Sequence, residues 1–77
     1  QTSLPLVIID NGKYDKKNLD ITGLGQEYFD GILKQQSVKN VKKVLVLTAD
    51  GTGKLYLQEK NQKFRTFHVN YPEGKIW

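Results

Sequence analysis

The chain has 77 residues, no cysteine, a formal net charge of +4 and a sequence pI near 9.4. This length fits one domain with a thin hydrophobic core, and the lack of cysteine excludes disulfides and thiolate metal sites. Eleven of the twelve cations are lysine, which suits solubility better than the bidentate recognition of phosphates or bases that arginine provides.

The first predicted element is a β-hairpin at the beginning of the chain. Residues 6–10 are rich in β-branched side chains and run into Asn11-Gly12. Asn-Gly is a strong hairpin signal because both central residues of a type I′ turn need a positive φ. The pattern therefore predicts a strand over 6–10 and a short return strand through Lys13 and Tyr14.

A polar segment and then a helix follow. Residues 15–25 are rich in turn formers, and the alternation of Leu19 and Ile21 with polar residues predicts extended chain or a loose turn. Thr22 is a candidate helix N-cap. An i, i+4 spacing of apolar residues predicts a helix over 24–36. Gly31 lowers the propensity of this helix and would let another backbone approach closely.

The residue pattern of the rest of the chain predicts strands. Residues 41–48 form the strongest candidate, and because 44–47 are apolar at every position we expect burial on both faces. Residues 50–53 predict a hairpin loop and 54–58 its return strand. Residues 64–71 predict one more strand, with Phe67, Val69 and Tyr71 on one side, and 72–77 a terminating turn and a tail.

These elements predict a single α+β domain over residues 1–77. Its mainly antiparallel sheet has three to five strands, and one helix packs on one face. The other face is left wet or available to a partner. A second copy of the chain is the cover we expect for it, which makes a homo-oligomer the expected state.

Motifs for chemistry are weak, and we assign no catalytic, cofactor-binding or metal-binding residue. Gly23-Leu24-Gly25 begins a phosphate-loop pattern whose third glycine is replaced by Tyr28. His68 is the only histidine and has no spaced metal-ligand partners. Ser3 and Ser37 are the only serines and lack a nucleophile motif. An enzyme is therefore the least favoured function class.

Residues 63–71, KFRTFHVNY, support an alternative function. Interleaved cations and aromatics on a strand are typical of surfaces that stack nucleic-acid bases. The residues that would do this are Lys63, Phe64, Arg65, Phe67 and Tyr71. An ordinary amphipathic edge strand explains the same alternation, so nucleic acid remains the less favoured partner.

Read together, three segments resemble a known family. These are NGK at 11–13, NLDITGLGQEYFDGILKQQSV at 18–38, and NVKKVLVLTADGTGKLYLQ at 40–58. Residues 6–58 resemble the soluble C-terminal domain of the YetF-like family of bacterial membrane proteins of unknown function. Two positions depart from the family pattern, since Lys34 stands where arginine is common and Ser37 where glycine is common.

The resemblance implies a context for the domain. Such domains follow transmembrane helices and lie on the cytoplasmic side of the cell membrane, so the chain would be a fragment of a longer integral membrane protein. Its start at Gln1 fits that expectation. The lysine excess would suit contact with an anionic lipid surface. The leading hypothesis is thus a non-catalytic domain that mediates assembly or regulation of the membrane part.

Overall fold

The computed structural model describes residues 4–72 and 77, and its five strands form one sheet. All neighbouring strands pair antiparallel. The elements are β1 (Leu6–Asp10), β2 (Lys13–Tyr14), α1 (Lys16–Thr22), α2 (Gln26–Gln35), a 3-10 turn (Val41–Lys43), β3 (Val44–Ala49), β4 (Lys54–Glu59) and β5 (Arg65–His68). The strand order is β2-β1-β3-β4-β5. This confirms the predicted α+β class, with two helices where the sequence predicted one.

A single hydrophobic cluster lies between the helices and one face of the sheet. Phe29, Ile32 and Leu33 of α2 pack there against side chains from three strands. The strand residues are Ile8, Ile9, Val44, Leu47, Ala49, Leu55 and Leu57. None of the helices formed by the described residues is long and apolar enough to cross a bilayer.

The first hairpin has the predicted geometry. Asn11 and Gly12 take φ values of 49° and 82°, and Asp10 pairs with Lys13 across the two-residue loop. The amides of Asn11 and Gly12 donate to the carbonyls of Leu45 and Val44 at 2.7 and 2.8 Å. The hairpin tip is therefore held against the start of β3.

The prediction of a loose segment over 15–25 is wrong, because α1 forms there. The Asp15 carboxylate caps the helix by accepting from the Asn18 amide at 3.0 Å, and Gly23 ends it with φ 71°. Asn18 Nδ2 donates to the carbonyl of Val7 at 2.8 Å, which ties α1 to β1. Thr22 is the last residue of α1 rather than the N-cap of α2, a position that Gly25 takes.

The predicted helix over 24–36 is confirmed as α2, and its end has a defined geometry. Ser37 adopts φ 65°, its amide donates to the Lys34 carbonyl at 3.0 Å, and the Val38 amide donates to the Leu33 carbonyl at 2.8 Å. This is the Schellman pattern, in which a left-handed residue follows the helix. A side chain added at Gly31 would meet open space, so the expected close backbone approach is absent there.

Burial of Val44–Leu47 on both faces was also predicted, and this is wrong. Val44 and Leu47 are buried, Val46 is half-buried, and Leu45 is 41% exposed. Leu45 is the extra residue of a β-bulge, since Val44 pairs with Glu59 and Val46 with Gln58. The helices cover one face only, and the bulge turns Leu45 away from them.

The predicted strand over 64–71 is confirmed in shorter form as β5. Phe67, Val69 and Tyr71 share the core side, as predicted. The Trp77 ring also lies there, with its centroid 4.7 Å from that of Tyr71. Most of the terminating turn predicted at 72–74 and most of the predicted tail lie outside the described residues.

The left-handed backbone at Ser37 leads to a stability prediction. Glycine takes a positive φ without steric cost, so we expect Ser37→Gly to raise the free energy of unfolding by about 1 kcal/mol. Gln35→Gly, placed in the last turn of α2, is the matched control and should lower it by about 1 kcal/mol. Urea denaturation of both variants measures this. Equal destabilisation by both would contradict the assigned helix end.

Candidate functional site

Within residues 4–72 and 77, no helix covers the face of the sheet opposite the core, which we call the uncovered face. A row of paired residues crosses it on four neighbouring strands: Val7, Thr48, Tyr56 and Thr66. Thr66 is exposed, Val7 is 36% exposed, and the other two are half-buried. The row carries no charge, so it binds water less strongly than a charged surface does.

Two more apolar side chains are exposed toward one end of the sheet. Phe64 is 57% exposed and stacks on Tyr56, with ring centroids 4.7 Å apart and planes inclined by 16°. Leu45 lies on the bulge of β3. Exposed apolar groups that adjoin one another, rather than occurring singly, are typical of interaction surfaces. The uncovered face is therefore the candidate site of the described chain.

The other end of the uncovered face is closed by the β3–β4 turn. Pro5, Asp50 and Lys54 border a shallow depression there, together with Thr48, Tyr56 and Thr66. The Asp50 carboxylate accepts from Thr52 Oγ1 at 2.6 Å and from the Thr52 and Lys54 amides at 2.9 and 3.0 Å.

These bonds also set the ionisation of Asp50. Partial burial raises the pKa of Asp50, but the hydrogen bonds from Thr52, Lys54 and Gly53 together outweigh it and lower the pKa below its ordinary value. Asp50 is thus an ionised group that organises the turn.

Two tyrosines near opposite edges of the sheet form hydrogen bonds on the helix side. Tyr14 donates its hydroxyl proton to Asp30 Oδ1 at 2.5 Å, and Tyr71 donates to the Asp50 carbonyl at 2.6 Å. Burial raises the pKa of Tyr14, and the hydrogen bond to Asp30 and its charge add to this effect. Burial also raises the pKa of Tyr71, with the charge of Asp50 as the next cause. Both phenols are neutral donors that fasten α2 and the β5 segment to the sheet.

His68 and Ser37, the described residues that were considered for catalysis, do not lie close together. His68 is exposed and its Nε2 lies 2.9 Å from the carbonyl oxygen of Thr52, at the end of the sheet where β3 finishes. Ser37 follows the C-terminus of α2, near the opposite end, and Ser3 lies outside the described residues. No group of three metal-ligating side chains occurs in the described part of the chain. Gly23 and Gly25 end one helix and begin the next.

The five residues of the nucleic-acid alternative are divided between two faces. Phe64 lies on the uncovered face, while Phe67 and Tyr71 pack against the core. Arg65 Nε and Nη2 donate to the side-chain and main-chain oxygens of Gln36 at 3.0 and 2.9 Å. Its Nη1 lies 3.3 Å from Glu59 Oε2. The one arginine of the chain therefore joins the end of α2 to β5, and the structure brings these five residues to no common surface.

The uncovered row was missed by sequence reasoning. Its one local signal is in β4, where Tyr56 alternates with the buried Leu55 and Leu57.

Comparison of the chain with protein-family models, with curated proteins and with solved structures gave no match.

The contacts of Arg65 lead to a prediction that distinguishes a role in stability from a role in binding nucleic acid. We expect Arg65→Ala to lower the free energy of unfolding by about 2 kcal/mol, because charge-assisted hydrogen bonds to Gln36 and Glu59 are lost. Arg65→Lys should restore only part of this, because an ammonium lacks the planar fork. Urea denaturation measures both.

Lys63→Gln is the matched control, since it removes one exposed positive charge from the neighbouring turn and should leave stability within about 0.5 kcal/mol. If Arg65→Ala kept full stability but abolished binding to single-stranded DNA, the nucleic-acid alternative would be favoured instead.

Proposed function

We propose that this chain is a non-catalytic assembly domain of a bacterial integral membrane protein, placed on the cytoplasmic side. In this proposal, the uncovered face packs against the same face of a second copy and so brings the membrane parts of two protomers together. The observation that carries it is the uncharged row of Val7, Thr48, Tyr56 and Thr66, flanked by the exposed Phe64.

The physical argument concerns the central strands. β3 and β4 lie in the middle of the sheet and bury their apolar residues on the helix side only. Two sheets that pack face to face exclude water from both inner faces, and the buried apolar area stabilises the pair. The row itself is uncharged, so a second copy that packs on it buries no charge from the row. A symmetric dimer uses the same patch twice, which a self-complementary row allows.

The membrane context rests on the YetF-like resemblance, and two structural features are consistent with it. The segments that carry the resemblance, 11–13, 18–38 and 40–58, all contribute to the sheet or to the helices that cover it. In addition, Ser37 has a positive φ at the position where the family commonly has glycine. A glycine preference at that position has a physical reason in this fold.

The first test concerns self-association. Thr66→Lys places a charge on the uncovered row at an exposed position of β5, so we expect it to weaken dimerisation while the chain stays folded. Sedimentation equilibrium measures the association, and circular dichroism measures the folding. Gln35→Lys adds the same charge at an exposed position of α2, away from the row. It is the matched control and should leave the dimer intact. A chain that is monomeric at all accessible concentrations would refute the dimer.

The second test concerns the membrane context. An antibody against this domain, used on fractionated cells of the source organism, reports the mass of the native protein and whether it sediments with membranes. We expect a protein well above 8.8 kDa that needs detergent to dissolve. A protein of about the mass of this chain that stays in the soluble fraction would refute the membrane context, whatever the outcome for the dimer.

A further inference from the structure

The positive charge of the chain is concentrated at one end of the sheet, which we call the basic end. It comprises the tip of the β1–β2 hairpin, the 3-10 turn before β3, and the turn between β4 and β5, together with the strand residues that directly flank these turns. Its cations are Lys13, Lys42, Lys43, Lys60, Lys63 and Arg65, and its carboxylates are Asp10 and Glu59. Six cations against two carboxylates leave +4 at this end, which equals the net charge of the whole chain. The other twelve charged residues of the sequence balance one another.

Backbone contacts hold these three segments together. The Gly12 amide donates to the Val44 carbonyl at 2.8 Å, and the Lys60 amide donates to the Lys43 carbonyl at 2.8 Å. A side chain at Gly12 would lie 3.1 Å from the Cα atom of Lys42, so the hairpin tip and the 3-10 turn are in direct contact. The lysines of these segments therefore belong to one surface, and all five are exposed.

Apolar side chains adjoin the same surface. Leu45 follows Lys43 by two positions and is 41% exposed, and its carbonyl accepts from Asn11 at the hairpin tip. Phe64 follows Lys63 directly and is also exposed. Flexible cations beside two exposed apolar groups fit an interface that carries negative charge at its surface and hydrocarbon beneath it.

We propose that the basic end binds the anionic headgroups of a lipid bilayer. The lysine ammonium groups would lie at the phosphates, and Leu45 and Phe64 would reach the boundary between headgroups and acyl chains. Each lysine near an anionic leaflet contributes about 1 kcal/mol, so the five lysines act together as one electrostatic surface.

Three observations favour lipid over nucleic acid for this surface. The free cations are all lysines, which act as point charges, whereas the arginine is engaged by Gln36 and Glu59. One face of the Phe64 ring is already occupied by Tyr56, which reduces its use as a stacking platform for bases. Leu45 is aliphatic and offers no stacking surface.

The lipid contact goes beyond the proposed assembly function and does not depend on it. The basic end occupies the loops at one end of the sheet, whereas the proposed dimer uses the row across the middle of the uncovered face. A monomer and a dimer would both present the lysines of the basic end, while Phe64 lies at the border of the two surfaces.

The experiment is a vesicle sedimentation assay with the 77-residue chain. Vesicles of phosphatidylcholine mixed with phosphatidylglycerol are compared with vesicles of phosphatidylcholine alone, at increasing salt. We expect binding to the anionic vesicles only, and we expect it to weaken as salt rises. The triple variant K42Q/K43Q/K60Q should bind about 100-fold more weakly, since each lost lysine costs about fivefold.

The matched control is K16Q/K17Q/K54Q, which loses the same charge from exposed positions outside the basic end. Its binding should change by about twofold at most, because salt screens charges that lie beyond about one Debye length. Circular dichroism of both triple variants verifies that they are folded, so a loss of binding cannot come from unfolding.

Three outcomes would overturn the proposal. These are no binding to anionic vesicles at low salt, equal loss in the two triple variants, and tighter binding to single-stranded DNA than to the anionic vesicles. The last would assign the basic end to nucleic acid. None of them changes the expected effect of Thr66→Lys on self-association, so failure of this proposal and failure of the dimer are distinguishable.

Discussion

The core of this domain is one-sided, and most of its other features depend on that constraint. A chain of 77 residues supplies one layer of helix, so only one face of the sheet is covered by the described residues. The seven largest fully buried side chains all belong to that layer and the strands beneath it. Small domains have little core to spare, so the contacts that hold α2 on the sheet matter more than they would in a larger protein.

Besides the apolar packing of Phe29, Ile32 and Leu33, specific side-chain contacts hold α2 near both of its ends. At its C-terminus, Arg65 binds Gln36 through two nitrogen donors, and Ser37 reverses the chain toward Val38 in the core. Near its N-terminus, Tyr28 contacts Tyr71, whose hydroxyl is bound by the Asp50 carbonyl. Arg65 and Tyr71 of the 63–71 segment therefore fasten the helix to the sheet. Because their contacts are long-range, the amphipathic pattern alone could not distinguish this role from a binding surface.

Elements that depend on local chemistry could be predicted from the sequence. Asn11-Gly12 defines the first hairpin because the φ requirement of a type I′ turn acts over two residues. Helix α1 was missed because it is short and because the alternation of Leu19 with Ile21 resembles a strand. The sequence features that could have predicted α1 were Asp15, which caps the helix from three residues before Asn18, and Gly23 at the end of the helix.

The β-bulges could not be predicted, although they decide which residues face the solvent. The apolar runs 6–9 and 44–47 look alike in the sequence, and each contains one bulge. In β1 the extra residue is Ile8, and the bulge places both Ile8 and Ile9 in the core. In β3 the extra residue is Leu45, and it faces solvent. The difference arises from the partner strands, so residue patterns within one strand cannot reveal it.

The separation of charge from the uncovered row follows from the same architecture. Side chains of turns at the ends of an antiparallel sheet point largely into solvent and accept lysine at little cost, whereas residues in the middle of a face lie among neighbours on both sides. In this chain the lysines of three turns converge at one end, while Val7, Thr48, Tyr56 and Thr66 stay uncharged. The fold thus presents two chemically distinct surfaces, and Phe64 lies at the border between them. For the proposed dimer and the proposed lipid contact this separation matters, because a charge on the row would oppose its burial against a second copy, and loss of the lysines would remove the attraction of the basic end to anionic lipid.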